Sequence, residues 1–166
     1  MDAVMLFITS LGNAGMIWIV LAVILLARPK TRKYGVAVAL SLAVDAVICN
    51  GILKNLFCRI RPCDVKTAVE LLIPHPQDYS FPSGHTAAGF AAVSALFFAG
   101  DRKWCRWLII AAVLIAFSRL YLYVHYPTDV LGGMLAGIAA GYCGYLLAKK
   151  LSERINMAKE KRGRLE

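Results

Sequence analysis

The stretch PTDVLGGMLAGIAAGYCGYLLA, residues 127–148, carries a single charged side chain, Asp129, near its beginning. A segment of about 17–25 apolar residues is long enough to cross the hydrocarbon core of a bilayer as a helix. A helix is the structure expected, because backbone groups cannot stay unpaired in lipid. Four further apolar runs cover residues 5–27, 34–57, 83–100 and 104–124. The pattern predicts an all-α polytopic membrane helix bundle with about five transmembrane helices.

The composition agrees with a membrane protein. Hydrophobic residues make up 59% of the 166 residues and charged residues 17%, and the mean hydropathy is +0.61. A soluble domain of this length needs more polar surface than that. We expect one membrane-embedded domain over residues 1–150 and a basic cytoplasmic tail over residues 151–166. The first run has no basic leader, so we interpret it as a retained helix. In the alternative, residues 1–10 lie along the membrane interface.

The net charge of +9 is a topology signal rather than a sign of nucleic-acid binding. If five helices alternate in direction, most of the 19 basic residues lie on one side of the membrane. Basic loops mark the cytoplasmic side. The N-terminus and the segments around 58–82 and 125–129 are then outside, in a plasma or inner membrane. The basic residues that decide the orientation are Arg28, Lys30, Arg32, Lys33, Arg102, Lys103, Arg106, Lys149, Lys150, Arg154, Lys159, Lys161, Arg162 and Arg164.

The five cysteines do not suggest a disulfide framework, because their number is odd. Cys58 and Cys63 both fall on the predicted outer side, where they could be bridged or free. The spacing of the cysteines and histidines does not match a metal-binding motif, so we expect no metal and no other cofactor.

The first polar cluster lies at the end of the second apolar run. Lys54 and Arg61 are seven residues apart, which puts them on one face if the helix continues to Arg61. Pro62 then marks the end of the segment. Arginine binds phosphate oxygens with two parallel hydrogen bonds, and lysine acts as a point charge. Two cations that snorkel at a helix end are the alternative.

The second cluster, Pro82-Ser83-Gly84-His85, precedes the third apolar run. Ser83 is a suitable N-cap residue, and Gly84 allows a ligand to approach the backbone. The N-terminus of a helix offers free N–H groups to an anion. His85, in the first turn, could bond a phosphate oxygen or donate a proton. An ordinary capped helix start is the alternative.

The third cluster joins the fourth and fifth runs. Ser118 and Arg119 lie near the outer end of the fourth run, and His125 and Asp129 follow four residues apart. A carboxylate beside a histidine fixes its tautomer and stabilises its protonated form. An arginine in a membrane helix is costly unless it is paired or functional. A structural Arg–Asp pair is the alternative.

The three clusters together resemble the signature of the type 2 phosphatidic acid phosphatase family, which vanadium-dependent haloperoxidases share. The matching patterns, in order, are Lys-x6-Arg-Pro, Pro-Ser-Gly-His and Ser-Arg-x5-His-x3-Asp. Membrane members of the family commonly have one helix more than the five counted here, and the missing helix is the first. The matching residues are Lys54, Arg61, Pro62, Pro82, Ser83, Gly84, His85, Ser118, Arg119, His125 and Asp129.

The resemblance implies roles for these residues. His125 is the nucleophile that forms a phosphohistidine, Asp129 orients it, and His85 is the general acid. Phosphate is held by Lys54, Arg61, Ser83, Gly84 and Arg119, with Pro62, Pro82 and Ser118 in support.

The resemblance also implies a function. The expected substrate is a lipid phosphate, with undecaprenyl diphosphate favoured for an outward-facing site and phosphatidate or phosphatidylglycerophosphate next. The alternatives are a vanadate-dependent haloperoxidase-like enzyme and a non-catalytic lipid-binding or transport protein.

Three further features remain open at this stage. The glycines Gly133, Gly137 and Gly141 form a close-packing stripe, either within the chain or in a homo-oligomer. Asp45 lies in the middle of the second run, where it either pairs with Asn13 or Asn50 or lines a lipid or water path. Residues 65–73 are interpreted as a short amphipathic helix over the site.

Overall fold

The computed structural model describes residues 1–164, and helices form almost all of it outside the segment between residues 58 and 83. The helices are α1 (Asp2–Leu11), α2 (Met16–Ala27), α3 (Arg32–Asp45), α4 (Lys54–Phe57), α5 (Pro62–Val65), α6 (Gly84–Phe98), α7 (Arg102–Tyr121) and α8 (Pro127–Gly163). A 3-10 turn, Asn13–Gly15, separates α1 from α2, and a π-helical segment, Ala46–Leu53, joins α3 to α4. The expected all-α membrane bundle is confirmed.

The apolar segments differ in how they span the membrane. Among the described residues, three helical stretches are long and apolar enough to cross a bilayer by themselves: Arg32–Val65, Arg102–Tyr121 and Pro127–Arg162. α1 and α2 make a fourth span only as a pair bent by 43°. α6 has 15 residues, which is shorter than the usual length of a spanning helix. The five expected segments are thus present, but they are not five equivalent helices.

α6 is the central helix of the bundle. It packs against α8, α7 and α3, and α3 in turn contacts α8 and α2. Trp18, Val38, Leu96 and Ile115 are fully buried between these helices. Large apolar side chains elsewhere, such as Leu135, face outward, as expected for a lipid-facing surface. The core therefore holds the short helix α6 at the centre of the longer ones.

The glycine stripe packs within the chain. A Cβ atom at Gly137 would lie 2.4 Å from the carbonyl oxygen of Ala87, and one at Gly141 would lie 2.7 Å from that of Ala91. A Cβ atom at Gly133 would lie 2.6 Å from the carbonyl oxygen of Ser83. The missing side chains allow the backbones of α6 and α8 to approach closely. This contact brings the beginnings of the two helices together.

The helix expected over residues 65–73 was wrong. α5 ends at Val65, and residues 66–73 form turns and bends. Pro74 and Pro76 bracket His75 just beyond, and the His75 side chain pairs with Asp64 at 2.8 Å between Nε2 and Oδ1. Cys58 and Cys63 are both free in this structure, with Cys58 exposed and Cys63 buried. A polar pairing rather than an amphipathic helix or a disulfide fastens this loop.

Candidate active site

A cavity of about 530 Å³ opens where the three polar clusters meet. Residues from five parts of the chain line it. These parts are the turn between α1 and α2 with the start of α2, the helical stretch from α3 to α4, the loop before α6, the start of α6, and the end of α7 together with His125, which lies between α7 and α8. The signature residues that line it are Lys54, Arg61, Gly84, His85, Arg119 and His125. The structure thus brings together side chains that lie up to 71 positions apart in the sequence.

Lys54 and Arg61 converge, but not on one helical face. α4 ends at Phe57, Cys58 takes a left-handed backbone conformation with φ of 44°, and Arg61 is extended. The condition for a shared helical face, a helix that continues from Lys54 to Arg61, is therefore not met. Both cations instead bind the carboxylate of Asp78, Lys54 through Nζ and Arg61 through NH2 at 2.6 Å. Lys54 and Arg61 are almost completely buried.

Asp78 was not identified from the sequence, because a lone acid in a proline-containing loop carries no distinguishing pattern. Its side chain is 54% exposed, whereas its two partners are buried. Partial burial acts to raise the pKa of Asp78, but the hydrogen bonds and charges of Lys54 and Arg61 outweigh it and lower the pKa to about 2. At neutral pH the ionised Asp78 carboxylate is therefore paired with both Lys54 and Arg61.

His125 lies with its two ring nitrogens in different surroundings. Nε2 is 3.1 Å from NH1 of Arg61, and Nδ1 is 3.6 Å from Oδ2 of Asp129 and 3.5 Å from the hydroxyl of Ser80. Since a guanidinium can only donate, Nε2 accepts and the ring proton belongs on Nδ1. Burial, with the charges of Arg61 and Arg119, lowers the pKa of His125 to about 4, although Asp129 opposes this shift. The neutral ring thus presents a lone pair at Nε2 near pH 7.

Asp129 is held from several sides at the beginning of α8. Its Oδ2 accepts hydrogen bonds from Ser80 Oγ at 2.5 Å and from the backbone N–H of Tyr126 at 2.8 Å. Its Oδ1 accepts from NH1 of Arg59 at 2.7 Å, and the Arg59 guanidinium lies 4.2 Å from the centre of the Tyr126 ring. Asp129 is completely buried and does not line the cavity. Its position behind His125 suits an orienting carboxylate.

Ser80 and Arg59 were missed in the sequence analysis. Both belong to the irregular segment between α4 and α6, where no helical period links them to Asp129. A backbone hydrogen bond from Ser80 N–H to the Arg59 carbonyl, at 2.8 Å, keeps the two residues adjacent. Arg59 lies two residues before Arg61, and its basic side chain outside the three strongly basic segments of the sequence was the one available signal.

The start of α6 presents Gly84 and His85 to the cavity. A Cβ atom at Gly84 would lie 3.3 Å from Oδ1 of Asn50 and 4.0 Å from Nζ of Lys54. The Ser83 hydroxyl does not cap the helix as expected. It accepts a hydrogen bond from Thr86 at 3.0 Å and is buried, while the Ser83 N–H donates to the carbonyl oxygen of Asp129 at 3.0 Å. That bond ties the beginning of α6 to the beginning of α8.

The helix pair before the signature contributes to the site as well. Oδ1 of Asn13 is 3.2 Å from Nε2 of His85, and NH1 of Arg119 donates to Thr9 at 2.7 Å. Among the described residues, Nε of Arg119 has no partner. The alternative of a structural Arg–Asp pair is therefore wrong for Arg119. Its free donor and its place on the cavity wall fit an anion-binding group.

The three supporting residues do not line the cavity. Ser118 is buried and donates to the carbonyl oxygen of Ile115 within α7 at 2.6 Å. Pro62 occupies the first position of α5, and Pro82 follows a cis peptide bond with Phe81. Their contribution is to backbone geometry around the reactive side chains.

Comparisons with known proteins agree with this geometry. The family model of the PAP2 superfamily matches residues 31–153. An undecaprenyl-diphosphatase of Sulfolobus acidocaldarius is 34% identical over 139 residues, which are 82% of this chain and 66% of that protein. The undecaprenyl-diphosphatase BcrC of Bacillus subtilis is 33% identical over 142 residues, or 86% of this chain and 72% of that one. The chain thus spans just under two thirds of the first relative and somewhat more of the second.

One solved structure extends the comparison to the fold. It is the transmembrane PAP2-type phosphatidylglycerolphosphate phosphatase of Bacillus subtilis. It superposes with a TM-score of 0.66 at 30% identity, and the match covers 93% of this chain and 77% of that one.

Proposed function

Because this chain belongs to the PAP2 superfamily, we propose that it is an integral-membrane lipid phosphatase that removes a terminal phosphate through a phosphohistidine. One observation carries the proposal. Lys54, Arg61 and Arg119 surround a cavity that His125 also lines, and Nε2 of its neutral ring carries a lone pair that accepts a hydrogen bond from Arg61. Fixed cations around a nucleophile are the arrangement that phosphoryl transfer requires, since the transition state spreads negative charge over the phosphate oxygens.

The reaction follows from the positions of the two histidines. Nε2 of His125 attacks phosphorus and forms an N–P bond, while the bond from phosphorus to the lipid oxygen breaks. His85, in its protonated form, donates a proton to that oxygen and the dephosphorylated lipid leaves. His85 then accepts a proton from water, whose oxygen attacks the phosphohistidine and releases inorganic phosphate. The step needs no other co-reactant.

The remaining residues hold the phosphate and the nucleophile. The guanidinium groups of Arg61 and Arg119, the ammonium of Lys54 and the N–H group of Gly84 stabilise the phosphate oxygens. Asp129 stabilises the positive charge that His125 gains on attack. Because Asp78 binds Lys54 and Arg61 in the unliganded cleft, an arriving phosphate exchanges with a carboxylate rather than with water alone.

The preferred substrate is undecaprenyl diphosphate, and phosphatidate and phosphatidylglycerophosphate follow. The names of the two relatives above support undecaprenyl diphosphate as the first choice. A purified sample in detergent or liposomes should release inorganic phosphate from undecaprenyl diphosphate without added metal. Vanadate should inhibit the reaction. Halide oxidation by a vanadate-loaded sample would instead indicate a haloperoxidase, and no turnover of any lipid would indicate a binding or transport protein.

The proposed orientation is N-terminus outside, C-terminus cytoplasmic and active site on the extracytoplasmic face, as the basic loops indicate. The chain contains its own probe for this orientation. Cys58 is exposed in the segment before α5, and Cys105 is buried near the opposite end of α7. A membrane-impermeant thiol reagent should label Cys58 in intact cells, and Cys58→Ser should remove that label. Labelling that requires permeabilised cells would reverse the topology.

A further inference from the structure

The cavity extends from the phosphate-binding side chains to Asp45, at the end of α3 within the membrane span. Asp45 is 4% exposed, and its Oδ1 has no hydrogen-bond partner among residues 1–164. Neither of the two pairings weighed for Asp45 Oδ1 is found among these residues, since Asn13 bonds His85 instead and no hydrogen bond joins Oδ1 to Asn50. A buried acceptor without a partner is costly, so the cavity wall has an open hydrogen-bonding position here.

The π-helical segment explains why Asp45 shares the cavity with Asn50 and Lys54. On a regular α-helix, residues five apart point about 140° away from each other. The π-helical bonding of Ala46–Leu53 widens the turn, so Asp45, Asn50 and Lys54 all line the cavity. Along this row the side chains run from a cation beside the phosphate position, through a neutral amide, to a carboxylate. The electrostatic character of the cavity therefore reverses from one end to the other.

This reversal limits what can occupy the inner end of the cavity. A second phosphate beside Asp45 would be repelled by the carboxylate. A hydrocarbon chain there would leave Oδ1 without a partner. A hydroxyl group satisfies both conditions, since it is uncharged and can donate a hydrogen bond. Ile19, Leu42 and Ala88 provide apolar wall for the carbon atoms around such a hydroxyl.

We propose that Asp45 accepts a hydrogen bond from a headgroup hydroxyl of the substrate, between the scissile phosphate and the lipid chain. Within the proposed set of substrates, this hydrogen bond favours phosphatidylglycerophosphate and other lipids whose headgroup carries a glycerol or sugar hydroxyl. It contributes nothing to the binding of undecaprenyl diphosphate, which carries none. This inference rests on the proposed lipid phosphatase function and adds a determinant of specificity to it. Asp45 is a binding residue and takes no part in the chemical steps.

The test measures kcat/KM of the purified protein on four lipids. Phosphatidylglycerophosphate supplies a glycerol hydroxyl, and a lipid A 4'-phosphate supplies sugar hydroxyls. Phosphatidate and undecaprenyl diphosphate have no headgroup hydroxyl. Asp45→Ala should lower the ratio of kcat/KM for a hydroxyl-bearing lipid to that for phosphatidate by about tenfold, as expected for one hydrogen bond to a charged acceptor. The lipid whose ratio falls identifies glycerol or sugar as the source.

Two further variants make the result specific. Asp45→Asn keeps the shape of the side chain and an acceptor oxygen but loses the charge, so the same ratio should fall by about threefold. This variant carries the test if Asp45→Ala does not fold. Leu42→Ala enlarges the same cavity without removing a polar group, and it should change the rates on all four lipids by a common factor.

The outcomes separate this inference from the proposed function. Equal losses on all four lipids in both Asp45 variants would overturn the headgroup assignment and leave the phosphatase intact. A wild-type protein that cleaves none of the four would overturn the proposed function itself.

Discussion

His125→Ala should lower phosphate release from every lipid substrate by about four orders of magnitude or more, the loss typical of removing a nucleophile. The side chain is buried among Arg61, Ser80 and Asp129 and lines the cavity. No other histidine lines the cavity except His85, whose Nε2 is bonded to Asn13. The measurement is initial phosphate release at saturating lipid, with folding checked by thermal unfolding in detergent.

His75→Ala is the matched control for this variant. His75 is the third histidine of the chain, pairs with Asp64 in the loop before α6 and does not line the cavity. Its replacement should leave phosphate release within about twofold of wild type, as is usual for surface positions. Comparable losses in both variants would mean that His125 is not the nucleophile.

Gly137→Ala should cause a large loss of stability, because this position of α8 packs directly against the backbone of α6. The new Cβ would lie 2.4 Å from the carbonyl oxygen of Ala87 and 3.0 Å from Cβ of Phe90. Backbone atoms of a packed helix cannot rotate away, so α8 must move from α6. Overpacking of this kind costs about 1–3 kcal/mol or more. The expected result is a lower midpoint of thermal unfolding in detergent and a reduced yield of folded protein.

The same substitution should lower activity in the fraction that folds. α6 begins with Gly84 and His85, and α8 begins at Pro127, between His125 and Asp129 in the sequence. A shift between the two helices therefore moves His85, the proposed general acid, away from His125, the proposed nucleophile. Gly51→Ala is the control, because a Cβ there would meet only the carbonyl oxygen of Ala46 at 3.9 Å. Equal stability of the two variants would contradict the close packing of α6 and α8.

The fold could be predicted from the sequence because hydrophobic length is a strong constraint in a bilayer. The five apolar segments emerged from their lengths and from the charged loops between them. The irregularities of these helical segments could not be predicted in the same way. The bend at Asn13–Gly15 and the π-helical segment Ala46–Leu53 depend on packing between helices, which no local period encodes.

The candidate catalytic and phosphate-binding residues were also identifiable from the sequence, since their spacing matches a family signature. The residues that contact and orient these side chains were not identifiable in this way. Asp78, Ser80 and Arg59 reach the site through an irregular segment, and Asn13 and Thr9 reach it through tertiary contacts of the first helix pair. The spacing of Lys54 and Arg61 suggested that the two residues act together, on one helical face if the helix continued to Arg61. The left-handed turn at Cys58 shows that a loop brings them together.

The proposed phosphohistidine at His125 can be tested by a rapid-quench reaction with a lipid substrate labelled in its terminal phosphate. We expect a labelled protein that is stable to base and labile to acid, as a phosphohistidine is. The label should lie on the peptide that contains His125. The labelled species should form before bulk phosphate appears and should be absent from His125→Ala. Phosphate release by wild-type protein with no label on His125 at any quench time would contradict the mechanism.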